Sequence, residues 1–208
     1  MKKPLLVLLA SMLFASAAAA VEGNASAGKA KTASCAACHG ADGNSPAPNF
    51  PKLAGQGERY LVKQITDIKS GARPVPLMAG QTDDLSEQDI ADIAAYYASK
   101  TVTVGQADPA LAEKGAAIYR GGIAERNIPA CAACHSPTGL GMAAAGFPAL
   151  SGQYAEYTIA QLKAFRAAAD GREGRDNDGE TKVMRTIAFQ LSDSEIEAVA
   201  SFIQGLHR

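Results

Sequence analysis

The sequence predicts an all-α fold with two tandem domains of the same architecture. A Cys-Ala-Ala-Cys-His motif occurs twice, at residues 35–39 and 131–135, and the sequence around it is repeated as well. Apolar residues recur at the spacing of a helix with one buried face, and no stretch shows the alternation of a half-buried strand. A chain of 208 residues would suit one large domain or two small ones, and the repeat favours two.

The repeat covers whole domains rather than the motif alone. One block of identities lies at a constant offset of 97: Phe50, Pro51, Leu53, Gly55, Gln56, Tyr60 and Gln64 match Phe147, Pro148, Leu150, Gly152, Gln153, Tyr157 and Gln161. A later block lies at an offset of 106: Met78, Leu85, Ser86, Ile90 and Ala94 match Met184, Leu191, Ser192, Ile196 and Ala200. The second half therefore carries a nine-residue insertion, expected in the polar, Gly-rich stretch 170–180.

The helical segments of the two halves also correspond. Helix starts are predicted at Ser86 and Ser192, and the second has the S-x-x-E pattern of a capping box. Earlier helices are expected over residues 58–70 and 156–169, with a short helix before each Cys-Ala-Ala-Cys-His motif. We place the boundary near residues 101–109, which gives domains of 21–104 and 105–208.

The repeated motif has the C-x-x-C-H pattern to which haem is covalently attached in c-type cytochromes. The two cysteines would form thioethers with the haem vinyl groups, and the histidine would coordinate iron. All four cysteines of the chain belong to the two motifs, so two covalent haem c groups are predicted. The predicted attachment residues are Cys35, Cys38, Cys131 and Cys134, and the predicted iron ligands are His39 and His135.

Two other uses of paired cysteines were considered. Zinc ribbons keep their cysteine pairs roughly 15 to 20 residues apart, whereas about ninety residues separate the two pairs here. A thioredoxin-like redox pair would require a βαβ setting, which the sequence does not show. Neither alternative explains why a histidine directly follows both pairs.

The N-terminus has the pattern of a secretory signal peptide. Two lysines precede an apolar run and a small-residue segment ending in Ala18-Ala19-Ala20, so cleavage is expected after residue 20. A membrane anchor is the alternative, but the strongly apolar part is shorter than the ~20 residues of a spanning helix. Export would place the protein in the bacterial periplasm, an oxidising compartment.

Methionine is the expected second axial ligand, because Met/His ligation suits c-type haem to electron transfer. After removal of the signal peptide only Met78, Met142 and Met184 remain. Met78 and Met184 correspond in the repeat and are expected in loops before the last helix of each domain. Met142 has no counterpart and follows His135 closely, so Met78 is assigned to the first iron and Met184 to the second.

Other residues are candidates for holding the haems. The chain has three histidines, and His207 lies beside the C-terminus, so bis-histidine ligation of both haems is impossible within one chain. A ligating histidine usually donates its other ring N–H to an acceptor, and the Pro48 or Pro51 carbonyl is the candidate for the first domain. Arginine contacts to the haem propionates are considered for three residues: Arg73, Arg172 and Arg175.

The tandem motifs, the Phe-Pro-x-Leu-x-Gly-Gln-x-x-x-Tyr blocks at 50–60 and 147–157, and the later methionines resemble the cytochrome c4 family. That resemblance implies two class I cytochrome c domains facing each other across a pseudo-twofold interface, with both haems six-coordinate. It also implies a periplasmic electron carrier, soluble or loosely associated with the membrane, whose partners are a respiratory donor complex and a terminal oxidase. The insertion implies similar but unequal haem environments.

Two classes of function remain at this point. An electron carrier keeps both axial positions of each iron filled, whereas a dihaem enzyme such as a cytochrome c peroxidase must open one position to its substrate. Two repeat-matched methionines favour the carrier. The formal charge of −1, which becomes −3 when Lys2 and Lys3 leave with the signal peptide, is unlike that of a nucleic-acid-binding protein.

Overall fold

The computed structural model describes residues 21–207, which form two helical domains joined by residues 99–108. The helices of the first domain are α1 (Ala25–Lys31), α2 (Ala36–His39), α3 (Glu58–Lys69) and α4 (Glu87–Ala98), with a 3-10 turn at Pro76–Met78. Those of the second are α5 (Pro109–Gly121), α6 (Ala132–His135), α7 (Ala155–Ala169), α8 (Val183–Gln190) and α9 (Asp193–Gly205), with 3-10 turns at Ala124–Arg126 and Ala143–Ala145. The predicted signal peptide, residues 1–20, lies outside the described residues.

The prediction of an all-α fold is confirmed. Throughout residues 21–207 the backbone forms two isolated bridges, Ile123 with Ile128 and Met142 with Phe147, and no strand. None of the helices in this part of the chain combines the length and the apolar character that a membrane crossing requires.

The last helix of each domain begins with a capping interaction. At Ser192 the Glu195 carboxylate accepts the backbone N–H at 2.8 Å, as the S-x-x-E pattern predicts. The sequence did not predict a full box at Ser86, yet one forms there. Asp89 accepts the Ser86 backbone N–H at 2.9 Å, and Ser86 Oγ accepts the Asp89 N–H at 3.1 Å. The shorter acidic side chain therefore serves the same purpose.

In each domain the first helix crosses the last one at a glycine. A Cβ at Gly28 of α1 would lie 1.9 Å from the Asp92 carbonyl oxygen of α4, and a Cβ at Gly115 of α5 would lie 2.2 Å from that of Ala198 on α9. Neither distance is compatible with a side chain, so glycine permits the close approach of the two backbones. These crossings fix the wall of each domain that lies behind its Cys-Ala-Ala-Cys-His motif.

The crossing glycines reveal a length difference that the sequence analysis missed. Gly28 and Gly115 are 87 residues apart, whereas Cys35 and Cys131 are 96 apart. The second domain thus has nine additional residues between its first helix and its motif, in the region of the Ala124–Arg126 turn. The identities at the offset of 87, Gly28 with Gly115 and Ala25 with Ala112 among them, are too few to mark this insertion in the sequence alone.

Two buried glutamines join the domains with twofold reciprocity. The Gln153 side chain accepts from the Lys52 backbone N–H at 3.0 Å and donates to the Lys52 carbonyl at 3.0 Å. The Gln56 side chain bonds the Ala149 peptide in the same way, at 2.7 and 3.0 Å. Both pairs are related by the offset of 97, so the two domains face each other across a pseudo-twofold axis.

The glycine crossing gives a stability prediction with a control in the same helix. Gly115→Ala should lower the free energy of unfolding by about 1–3 kcal/mol, the usual cost of adding a methyl group to a tightly packed position. Gly121→Ala is the control, because a Cβ there meets no atom within 4 Å. Alanine favours a helix over glycine, so this variant should unfold at the same or a slightly higher temperature.

Thermal unfolding of both purified variants, followed by far-ultraviolet circular dichroism, makes the comparison. Equal melting temperatures for Gly115→Ala and Gly121→Ala would show that the crossing tolerates a side chain. The described close approach would then be wrong.

Candidate haem sites

One large cavity extends through both domains. Its volume is about 1340 Å³, and its lining includes residues from both Cys-Ala-Ala-Cys-His motifs and from both sides of the domain interface. The four cysteines, half-buried and without disulfides, all contribute to this lining. His39 and His135 line it as well, so every predicted attachment residue faces the same space.

Each motif folds into a single helical turn that begins after its first cysteine. This turn places His39 at the end of α2 and His135 at the end of α6, where both side chains are only 7% exposed. Burial lowers the pKa of both imidazoles, because the charged form loses its hydration. A neutral imidazole is the form that can coordinate iron.

A backbone carbonyl orients each imidazole. Nδ1 of His39 lies 2.9 Å from the Pro51 oxygen, and Nδ1 of His135 lies 2.9 Å from the Pro148 oxygen. Of the two candidates for the first domain, Pro51 is confirmed and Pro48 is wrong. Because Nδ1 donates to the carbonyl, Nε2 is left as the lone-pair nitrogen available to a metal.

The positions of the three methionines distinguish the two ligand candidates from Met142. Met78 and Met184 are half-buried and line the cavity. Met142 is 46% exposed and does not contribute to the lining. The predicted loop position is wrong for Met184, which is in the first turn of α8, whereas Met78 ends the short Pro76–Met78 turn in the connection between α3 and α4.

The cavity walls fit haem in two further respects. Of the buried side-chain polar atoms in the described residues, the Tyr97 hydroxyl is the one that has no hydrogen-bond partner, and Tyr97 lines the cavity. Burial of the Cys131 thiol raises its pKa to about 11, so the sulfur is held as a neutral group rather than a thiolate. A thioether at this position carries no charge and suits the same surroundings.

The structure separates the three candidate arginines. Arg73 and Arg175 lie in the cavity wall, half-buried, at the boundary between the domains. Arg172 is exposed and bonds Asp170 at 3.0 Å, outside the cavity. His207 is exposed as predicted, and its ring bonds the Gly205 carbonyl at 2.9 Å.

Sequence reasoning did not identify the residues that hold these arginines. Tyr60 and Gln64 of α3, with Tyr157 and Gln161 of α7, bond the two guanidinium groups. All four are repeat identities, which was a signal that could have marked them. Asn177, which joins the same network, has no repeat counterpart and gave no signal.

The alternative of a shared zinc site finds no support in the described residues. No three His, Cys, Asp or Glu side chains within residues 21–207 come together as a metal-binding cluster. Each Cys pair instead stays beside its own histidine on the wall of the cavity.

Comparison with known proteins gives consistent matches. The family model for Cytochrome c matches residues 25–100 and 112–207. A cytochrome c4 from Pseudomonas aeruginosa is 56% identical over 203 residues, which cover 98% of each chain. The crystal structure of reduced recombinant cytochrome c4 from Pseudomonas stutzeri is 54% identical, with a TM-score of 0.84, and covers 89% of this chain and 100% of that one. A thiosulfate dehydrogenase electron acceptor from Thiomonas intermedia is 39% identical over 178 residues, 83% of this chain and 78% of that protein.

The two matched domains each contain one C-x-x-C-H motif beside the common cavity. They bind two covalently attached haem c groups, one in each domain. The predicted cofactors are confirmed.

The imidazole geometry predicts a signature in nuclear magnetic resonance spectra. In the reduced protein, which is diamagnetic when both irons are low-spin, His39 and His135 should each show an Nδ1–H that exchanges slowly with solvent, because it is buried and bonded to a carbonyl. His207 is exposed and should show no protected ring proton. Absence of both protected signals would contradict the described orientation of the imidazoles.

Proposed function

Because this chain belongs to the cytochrome c4 family, we propose that it is a periplasmic carrier that delivers single electrons to a respiratory terminal oxidase through two His/Met-ligated haems. The carrying observation is that each Cys-Ala-Ala-Cys-His motif has its own repeat-matched methionine on the wall of one common cavity. The domain limits 21–104 and 105–208, and a signal peptide over residues 1–20, are part of the same proposal.

The proposed ligand sets are parallel in the two domains. When bound, haem supplies a reversible one-electron change at iron. Cys35 and Cys38 would attach the first haem, with His39 and Met78 as its axial ligands. The second set consists of Cys131 and Cys134 for attachment, with His135 and Met184 as axial ligands.

The protein groups around these ligands support a carrier. The Pro51 and Pro148 carbonyls hold the two imidazoles in one orientation and increase their basicity. Phe50 and Phe147 pack near them, with ring centroids 6.3 and 6.4 Å from those of the histidines. Imidazoles that are buried and held in this way would change little between two redox states, so little reorganisation would accompany electron transfer.

The two proposed methionine ligands argue against an enzyme. A cytochrome c peroxidase activity would require one iron to exchange its sixth ligand for substrate. Met78 and Met184 both line the cavity, and the alternative would need one of them to leave it. We therefore propose that the chain has no catalytic residues.

Redox proteins are the proposed partners. The Thiomonas intermedia relative carries the name thiosulfate dehydrogenase electron acceptor, which supports protein-to-protein electron transfer for this chain as well. A respiratory donor complex and a terminal oxidase are the partners we propose, and loose association with the membrane is compatible with them. The signal-peptide pattern and the cytochrome c4 relatives support the periplasm.

Methionine substitution tests the ligand assignment. Oxidised haem with a methionine ligand has a weak far-red sulfur-to-Fe(III) absorption band. Met78→Ala and Met184→Ala should each reduce this band to about half, because one of two thioether ligands is lost. Met142→Leu is the matched control and should leave the band unchanged, since Met142 is exposed and outside the cavity.

Two outcomes would count against the assignment. A full band in either alanine variant would remove that methionine from the ligand set. An unaltered protein that contains two haems but no band would favour the dihaem enzyme.

The proposed carrier function also predicts electron exchange between the two haems of one molecule. Residues of both domains line one cavity, so we expect the two porphyrin edges to approach each other at the domain interface. After partial photoreduction, absorbance should show a first-order phase whose rate is independent of protein concentration. A rate proportional to protein concentration would mean that electrons pass only between molecules.

A further inference from the structure

Two arginines meet at the domain boundary although they occupy different positions in the repeat. Arg73 lies six residues after Asp67, whereas Arg175 lies eleven residues after Ala164, the repeat equivalent of Asp67. Even so, the backbone N–H of Arg73 bonds the Asp67 carbonyl at 2.9 Å, and that of Arg175 bonds the Ala164 carbonyl at 3.0 Å. The two arginines therefore start from equivalent places in the fold.

This geometry divides the predicted nine-residue insertion into two parts. Five inserted residues precede Arg175, and four lie between Arg175 and Met184. The second domain thus reaches the same arginine position by a longer path. Neither of the offsets 97 and 106 aligns the two arginines, which is why the sequence left Arg172 and Arg175 as alternatives.

The two guanidinium groups share their acceptors across the interface. Gln161 Oε1 accepts from Arg73 at 2.9 Å and from Arg175 at 2.9 Å. Gln64 Oε1 accepts from both as well, at 2.8 Å each. Each guanidinium therefore bonds a glutamine of its own domain and one of the other domain.

Each arginine also donates a hydrogen bond to a tyrosine of the other domain. Arg73 of the first domain donates to the Tyr157 hydroxyl of the second at 3.0 Å. Arg175 of the second donates to the Tyr60 hydroxyl of the first at 3.1 Å, and its guanidinium carbon lies 4.5 Å from the centroid of the Phe165 ring. The positions of both cations are therefore fixed by several contacts.

No ion pair within the described residues balances the charges of this arginine pair. Within residues 21–207 neither guanidinium has a carboxylate within ion-pair distance. Asp67, an acid that joins this network, accepts from Asn177 at 2.6 Å and pairs with Lys63. Two adjacent, half-buried cations require anions beside them, and the haem propionates are the anions that the cavity receives.

We propose that Arg73 and Arg175 form one shared cationic site for the propionates of both haems, so that each arginine raises the reduction potential of both haems. The inference rests on the proposed function, because it requires two haems in the cavity. A positive charge near a haem favours Fe(II), which has one positive charge fewer than Fe(III). A charge held on the interface acts on both irons.

Potentiometric titration of the haem-loaded protein tests the arginine pair. Arg73→Gln and Arg175→Gln should each lower both midpoint potentials. A tenfold fall in the equilibrium constant for reduction would correspond to 59 mV for a one-electron couple. Arg172→Gln is the matched control, because it removes the same charge from the same loop but from an exposed side chain outside the cavity.

A second set of variants adds a negative charge beside the arginine pair and leaves both arginines in place. Gln64→Glu and Gln161→Glu are nearly isosteric, and each puts a carboxylate between the two guanidinium groups. Each should also lower both potentials, although one residue belongs to the first domain and the other to the second. These variants keep the test valid if the arginine variants fail to fold.

The outcomes separate a shared site from its alternatives. A shift in only one of the two one-electron waves, or in neither, would overturn the proposal. So would an equal shift in the Arg172→Gln control, or loss of the far-red band in the arginine variants with unchanged potentials in the glutamate variants. Failure of the proposed function is read separately, from haem content and the far-red band of the unaltered protein.

Discussion

Both domains depend on the cavity that they enclose together. A helical domain of this size can bury only a small core of its own, and here much of each domain's inner surface faces the cavity rather than other side chains. The close crossings at Gly28 and Gly115 provide the rigid wall behind each motif. Haem fills the remaining volume, so the cofactor is part of the core and its loss would remove the packing of both domains.

The interface follows from the same requirement. If each haem is enclosed by one domain and partly covered by the other, the two domains must keep a fixed relation. The reciprocal bonds of Gln56 and Gln153 with backbone peptides supply that relation without charged groups. Loss of either glutamine side chain would leave buried peptide groups without hydrogen-bond partners, which would cost about 1–3 kcal/mol of stability for each group. Redox chemistry therefore takes place in a frame that resists opening.

The sequence predicted those features that repeat at constant spacing. The attachment motifs, the candidate methionines and Pro51 each have an identical counterpart in the other domain. Features that depend on loop length could not be predicted. Neither the offset of 97 nor that of 106 aligns Arg175 with Arg73, so the repeat could not single out Arg175 from Arg172. The helical setting of Met184 was missed for a related reason: the inserted residues hide where α8 begins. Contacts such as that of Asn177 arise only when the two domains meet.

The two haem sites have matching proposed ligands but different walls. Tyr97 of α4 has Ile203 of α9 at its repeat position. Tyr119 of α5 corresponds to Thr32, the residue that follows α1, by the offset that relates Gly28 to Gly115. Tyr97 and Tyr119 are both almost completely buried, but they come from opposite helices of the crossing. Tyr119 donates to the Ser136 carbonyl at 2.8 Å, while the Tyr97 hydroxyl has no partner in the described residues. The cavity is therefore lined by an unpaired hydroxyl in the first domain, whereas the buried hydroxyl of the second domain is committed to a backbone carbonyl, so the two sites differ although their proposed axial ligands match.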